Sequence, residues 1–187
     1  CIKIKWCANT IIKEDNMKKI FLFVFGLLVL LTGCNTLINT PTKKVEELLS
    51  KYQMVDQDIS SEIDNLLNDE VTLTSDEKVK YKDIISKQYK NLVYTIKDET
   101  VDGDNAIVTV EIEVLDYKKV IDEVDSKYSN DITLDRSNYN AMKIDALSKA
   151  KEKVKYTLEI NVRKDKDGNW EVVGLTSSDR KKIQGMY

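Results

Sequence analysis

The stretch VKYTLEINVRKDKDGNWEVVGL, Val154 to Leu175, decides how the rest of the chain is read. Val154, Tyr156, Leu158, Ile160 and Val162 alternate with Lys155, Thr157, Glu159, Asn161 and Arg163. A period of two with one apolar side predicts a strand that buries one face and wets the other. Asp165 to Asn169 form a turn, Gly168 supplying the left-handed backbone, and Trp170 begins a return strand. Upstream, Leu92, Tyr94 and Ile96 alternate in the same way, VDGDNA (101–106) predicts a hairpin turn, and Ala106, Val108, Val110, Ile112 and Val114 continue beyond it. Together these segments predict an antiparallel sheet of about four strands with one apolar face.

Helical periods surround and interrupt that sheet. Thr40-Pro41 reads as an N-cap and first helical residue ahead of Val45, Leu48, Leu49 and Tyr52. Val55, Ile59, Ile63, Leu66 and Leu67 carry the period on to about Asn68, the join near Gln53 being either a bend or no break at all. Thr74 and Glu77 have capping-box spacing ahead of Tyr81, Ile84, Ile85 and Tyr89. Between the middle strands, Asp116 caps a helix with Tyr117, Val120, Ile121, Val124 and Tyr128. Asp135 starts another, through about Lys153, with Tyr139, Met142, Ala146, Leu147 and Ala150 on its apolar side. Helices beside a one-faced sheet make residues 41–187 a single α+β domain: a curved antiparallel sheet packed on helices, with a helical insertion between the middle strands.

Two resemblances follow from these residues. YTIKDETVDGDNAIVTVEI (Tyr94–Ile112) and YTLEINVRKDKDGNWEVV (Tyr156–Val173), behind an opening helix, resemble small lipoproteins of the nuclear transport factor two-like, cystatin-like group over most of Thr40 to Leu175. The resemblance implies a sheet curled around helices and Trp170 returning to the core. The group contains enzymes, binding proteins and members without known activity, so it does not supply a function. The helical segment from Asp116 to Lys153 departs from its pattern.

The second resemblance lies in MKKIFLFVFGLLVLLTGCNT, Met17 to Thr36. Lys18 and Lys19 form a positive region, Ile20 to Leu31 an apolar one too short to span a bilayer permanently, and a small-residue site follows. Leu31-Thr32-Gly33-Cys34 resembles the lipobox of bacterial lipoproteins. The resemblance implies recognition of Leu31, Thr32 and Gly33 by signal peptidase and a diacylglyceryl group on the Cys34 sulfur. It also implies anchoring at the outer face of the cell membrane, since two acyl chains hold far more firmly than one. On this reading residues 17–33 are a lipoprotein signal peptide and 34–40 a lipidated tether. Residues 1–16, which begin without methionine, read as translated upstream sequence.

Composition narrows the chemistry. Residues 34–187 keep 24 of the 29 basic and 30 of the 32 acidic residues, a net charge of −6 that disfavours nucleic acid as a partner. The chain has no histidine, and its cysteines are Cys1, Cys7 and Cys34. The domain therefore has no thiolate or imidazole with which to build a zinc site, a serine triad or a cysteine nucleophile. No catalytic residue, metal site or cofactor is assigned. DKDGNWE places Trp170 where a calcium loop needs glycine and Thr176 where it needs glutamate, so a turn is the better reading.

Glu111 and Glu113 share a strand face opposite the apolar one, which predicts solvated, ionised carboxylates. Tyr94, Tyr156 and Trp170 are candidate lining for a concave pocket taking an apolar or sugar-like ligand, with core packing as the competing role. Lys149, Lys151, Lys153, Lys155, Arg180, Lys181 and Lys182 are candidates for an anionic wall polymer or lipid headgroup, against dispersed solvated charge. The expectation is a non-enzymatic binding or interaction module of the cell envelope, its partners the membrane through Cys34 and an envelope protein or small apolar ligand. The alternative is a carboxylate-based hydrolase or isomerase working in the concave pocket.

Overall fold

The alternating segments pair as expected. In the computed structural model, which describes residues 39–130 and 135–187, they form one antiparallel sheet in the order β1 (Val93–Asp102), β2 (Asn105–Leu115), β3 (Lys153–Lys164), β4 (Trp170–Val172). The register puts Val108 beside Ile160 and Val110 beside Leu158, and these four side chains are essentially inaccessible. The Asp102–Asn105 turn has positive φ at Gly103 alone, the arrangement of a type II′ hairpin.

The apolar face is covered by helices. Helix α1 (Pro41–Met54) packs against all four strands through a stripe that includes Val45, Leu49 and Tyr52. Around it lie α2 (Gln57–Asn68), α3 (Ser75–Lys90), α4 (Tyr117–Ser129), α5 (Arg136–Ser148) and α6 (Ser177–Ile183). The pair α4 and α5 forms the insertion between β2 and β3, so the fold is the expected α+β class. The Thr74–Glu77 capping box is present at the start of α3. No helix among the described residues is long and apolar enough to cross a membrane.

Four details differ from, or were left open by, the periodic reading. The helical stretch from Pro41 to Asn68 is broken at Val55, the one non-glycine described residue with positive φ, at 48°. A β-branched residue costs about 1–2 kcal/mol there. Asp56 helps hold the break by accepting the Ile59 amide at 3.0 Å and capping α2. Helix α5 stops at Ser148 because Lys153 is already paired with Leu115. In β1 the register slips between Ile96 and Asp98, so Glu99 and Val101 fall opposite the core residues Val108 and Ala106. The Glu99 carboxylate then accepts the Thr42 amide at 2.9 Å, a negative charge at the positive end of α1.

The fourth is α6, which the apolar periods do not reveal; Thr176 and Asp179 form its capping box. Beyond it, Gly185 has a φ of 70°, and a Cβ there would overlap the Leu115 carbonyl and the Gln88 amide. Gln88, 1% exposed, donates to the carbonyls of Leu115 at 2.8 Å and Gln184 at 3.1 Å, and accepts the Leu115 amide at 3.1 Å. One buried amide thus ties the C-terminal tail to α3 and the end of β2.

Candidate functional site

Three apolar helix faces that reach the core also leave a cleft of about 610 Å³ where α2 ends. Leu67 of α2 and Ile85 of α3 belong to its apolar side, and Ile121 of α4 and Met186 of the tail add to it. Tyr81, Tyr128 and Tyr139, one from each of α3, α4 and α5, bring aromatic rings to the same space, with Asp69, Glu70 and Lys143 as charged members. A volume in the hundreds of cubic ångströms is the size of a small-molecule site, and the lining here mixes apolar side chains with polar groups that include Thr72, Asn140 and Gln184.

The tyrosines are held in place. Tyr128 and Tyr139 pack with ring centroids 4.8 Å apart, and the Tyr139 hydroxyl donates to Asp125 Oδ1 at 2.7 Å. Burial, with the neighbouring Asp125 carboxylate, pushes the Tyr139 phenol up to about 12. Tyr81 is raised further, chiefly by burial and then by Tyr139, Glu70, Glu77 and Asp125. Both are neutral hydroxyls at physiological pH. Asn140, 6% exposed, anchors the loop before α3 by donating to the Thr72 carbonyl at 2.9 Å. The Lys143 ammonium lies 5.9 Å from the Tyr81 ring centroid and 5.8 Å from that of Tyr139.

The register separates the candidate pocket residues Tyr94, Tyr156 and Trp170. Tyr94 and Tyr156 stand on either side of Ile112 on the core face. Trp170 pairs with Lys164, eight residues along β3 from Tyr156 and so roughly 26 Å away at about 3.3 Å per residue. Each has its own local role. The Tyr156 hydroxyl donates to the Tyr187 carbonyl at 3.1 Å and the two rings meet edge to face at 5.8 Å. Trp170 is buried beneath the Lys164 ammonium, 4.9 Å from its ring centroid.

The other candidates resolve into ordinary surface chemistry. Glu111 takes ion pairs from Lys97 at 3.3 Å and Lys155 at 3.1 Å, and Glu113 one from Lys153 at 2.7 Å. Both carboxyls are held below their usual range, Glu111 mainly by its hydrogen bonds from Lys155 and Lys97 and Glu113 by that from Lys153. Lys149 pairs with Asp145 and Arg180 with Glu62. Asp165 accepts the amides of Asp167 and Asn169, both at 2.8 Å, as the turn reading requires. Among the described residues no cluster of three or more acidic, histidine or cysteine side chains is arranged to hold a metal ion. Leu31, Thr32, Gly33 and Cys34, with the segments 1–16 and 17–33 and the tether up to residue 38, lie outside the described residues.

The tether's last residues already belong to the fold. Asn39 donates to Asn169 Oδ1 at 3.0 Å and accepts the Trp170 amide at 3.0 Å, which fastens the chain entering α1 to the β3–β4 hairpin. Residues 17–35 match the prokaryotic membrane lipoprotein lipid attachment site. The chain carries the mark of a lipid-anchored membrane lipoprotein. Among solved structures it is similar to a candidate lipoprotein (ycdA) from Bacillus subtilis subsp. subtilis str. 168, with 16% identity and a TM-score of 0.41 over 67% of this chain and 44% of that one. The chain thus spans less than half the length of that protein. No curated protein matches it.

The cleft tyrosines were visible in the sequence only as members of apolar helix faces. Tyrosine in place of leucine at Tyr81, Tyr128 and Tyr139 is the one local signal that these faces end at a partly polar space.

Proposed function

We propose that the protein is a bacterial surface lipoprotein, acylated on Cys34 and held at the extracytoplasmic face of the cell membrane, whose domain is a non-enzymatic binding module of the nuclear transport factor two-like kind. The observation that carries this reading is the lipid attachment site placed immediately ahead of the domain. Only four residues separate Cys34 from Asn39, a reach of roughly 17 Å when fully extended. Asn39, the first described residue after that segment, is bonded to the β3–β4 hairpin.

The tyrosine cleft lies towards the other end of the sheet. Gln184, which lines it, is tied through Gln88 to Leu115, and β2 alone puts Leu115 roughly 33 Å from Asn105. The net charge of −6 on residues 34–187 favours a domain that stands off an anionic lipid surface. The binding reading is supported further by the ion pairing of Glu111 and Glu113 on an open sheet face, where a carboxyl stays ionised and is a poor general acid.

Labelling cells with a fatty-acid probe tests the anchor. The wild-type chain is expected to take up the probe and sediment with membranes, whereas Cys34→Ala abolishes labelling. Unlabelled wild-type protein recovered from cytosol would overturn the proposal.

A further inference from the structure

The cleft holds an unusual cation. Lys143 is half-buried, and among the described residues it makes no ion pair, although Asp69 and Glu70 line the same space. Its ammonium instead faces two tyrosine rings at 5.9 and 5.8 Å, with the third ring packed behind Tyr139. Ring faces attract cations through their quadrupole, and a seat formed by several rings is the arrangement that recognises alkylated ammonium groups. The surroundings agree in sign: after burial, the influences that raise the Tyr81 phenol come from Tyr139, Glu70, Glu77 and Asp125, all of them groups that disfavour negative charge at the ring. Beside the rings, Ile121 and Met186, only partly buried, offer apolar surface that a bare lysine does not use.

We propose that the tyrosine cleft binds an organic cation, an alkylated ammonium carrying an apolar body, and that Lys143 occupies the cation seat in the free protein. The ligand's cationic head displaces the Lys143 ammonium from Tyr81 and Tyr139, while its apolar body lies against Ile121 and Met186. Lys143 reaches its seat on a flexible four-carbon stem, so it swings into solvent without disturbing α5. A built-in competitor lowers affinity for the ligand, and removing that competitor raises it.

The opposite reading, in which Lys143 pairs with an anion, makes the opposite forecast, so two probes of similar size and opposite charge decide between them. The full chain, in a maltoside detergent free of ammonium groups, is titrated with benzyltrimethylammonium and with phenylacetate, followed by ligand-observed NMR. Binding of the cation in preference to the anion is expected, together with a several-fold tightening of cation binding in Lys143→Met and a several-fold weakening in Tyr139→Leu. Tighter binding of phenylacetate, or a Lys143→Met variant whose cation affinity is unchanged or reduced, would overturn the proposal. Lys143→Met, at a partly exposed site, carries the test should Tyr139→Leu fail to fold.

This inference rests on the binding-module reading, and the same samples keep the two apart. Loss of cation selectivity with both probes recovered chemically intact counts against the ligand class alone. Conversion of either probe to product counts against a non-enzymatic module.

Discussion

Neighbouring residues of β2 live on two different surfaces. Ile112 is inaccessible, flanked by Tyr94 and Tyr156 and covered by helices; Glu111, one step away, faces water and is pinned between Lys97 and Lys155. The inner face is built chiefly of close-packed apolar side chains and decides stability, because truncating one leaves a void that its neighbours do not fill. The outer face carries the paired carboxylates that in a sequence suggest catalysis, but their charges are spent on lysines across the strands. The candidate binding chemistry lies on neither surface. It is found among the helices at Tyr81, Tyr128 and Tyr139.

The sharpest way to break this comparison is to truncate the inner face. Ile112→Ala is expected to lower the unfolding free energy by about 3–4 kcal/mol, measured by urea denaturation with an unchanged slope. A loss below about 1 kcal/mol would mean that the face is loosely packed. It would also place the β2–helix contact among the weaker ones of the fold.

A second effect separates the helix-covered side from the wet one by pH. Tyr52, Tyr89 and Tyr117, packed beneath the helices, have phenols raised by burial, Tyr117 to about 12. The Tyr117 hydroxyl donates to the Ile84 carbonyl at 3.3 Å, and the Tyr52 and Tyr89 rings meet edge to face at 5.0 Å. Unfolded tyrosine ionises near pH 10, so above that pH the native state binds more protons than the unfolded one. Their contribution is fully present below pH 10 and is lost as pH rises through the folded values. Stability is expected to hold to about pH 9 and fall steeply between about 10 and 12. Phenolate absorbance should appear in step with unfolding. Ionisation of all tyrosines near pH 10 in a still-folded protein would show that the covered side is open to water.

The sheet was legible because a strand's period of two sorts side chains by face without reference to anything distant, and Val154 to Val162 alternate without a fault. What was not legible depends on a partner. Val55 has no intrinsic preference for a positive φ, and the break there exists because Asp56 caps the next helix and α2 packs on α3. The slip at Lys97 is set by what lies beside it, including the amide of Thr42 that Glu99 reaches. Tyr94, Tyr156 and Trp170 share one face of the sheet, but a shared face says nothing of separation along the strand. The cleft demanded the most, since its three tyrosines come from three helices whose meeting is a property of the packed whole.

The smallest expected effect is also the one that tests the outer face directly. Glu111 and Glu113 have carboxyls depressed by hydrogen bonds from Lys155, Lys97 and Lys153, so whatever stability they lend is present above the ordinary carboxylate range and lost as pH falls through their folded values. These pairs are exposed, and exposed pairs are weak and screened by salt. The double variant Glu111→Gln, Glu113→Gln is therefore expected to unfold at nearly the wild-type midpoint at pH 7, with any difference shrinking as the solution is acidified and in 1 M salt. A large loss that survives high salt would require charges sheltered from the counterions that reach an open surface. The outer face would then be covered by something, and the ladder of lysines and glutamates would mark where a partner of matching charge sits.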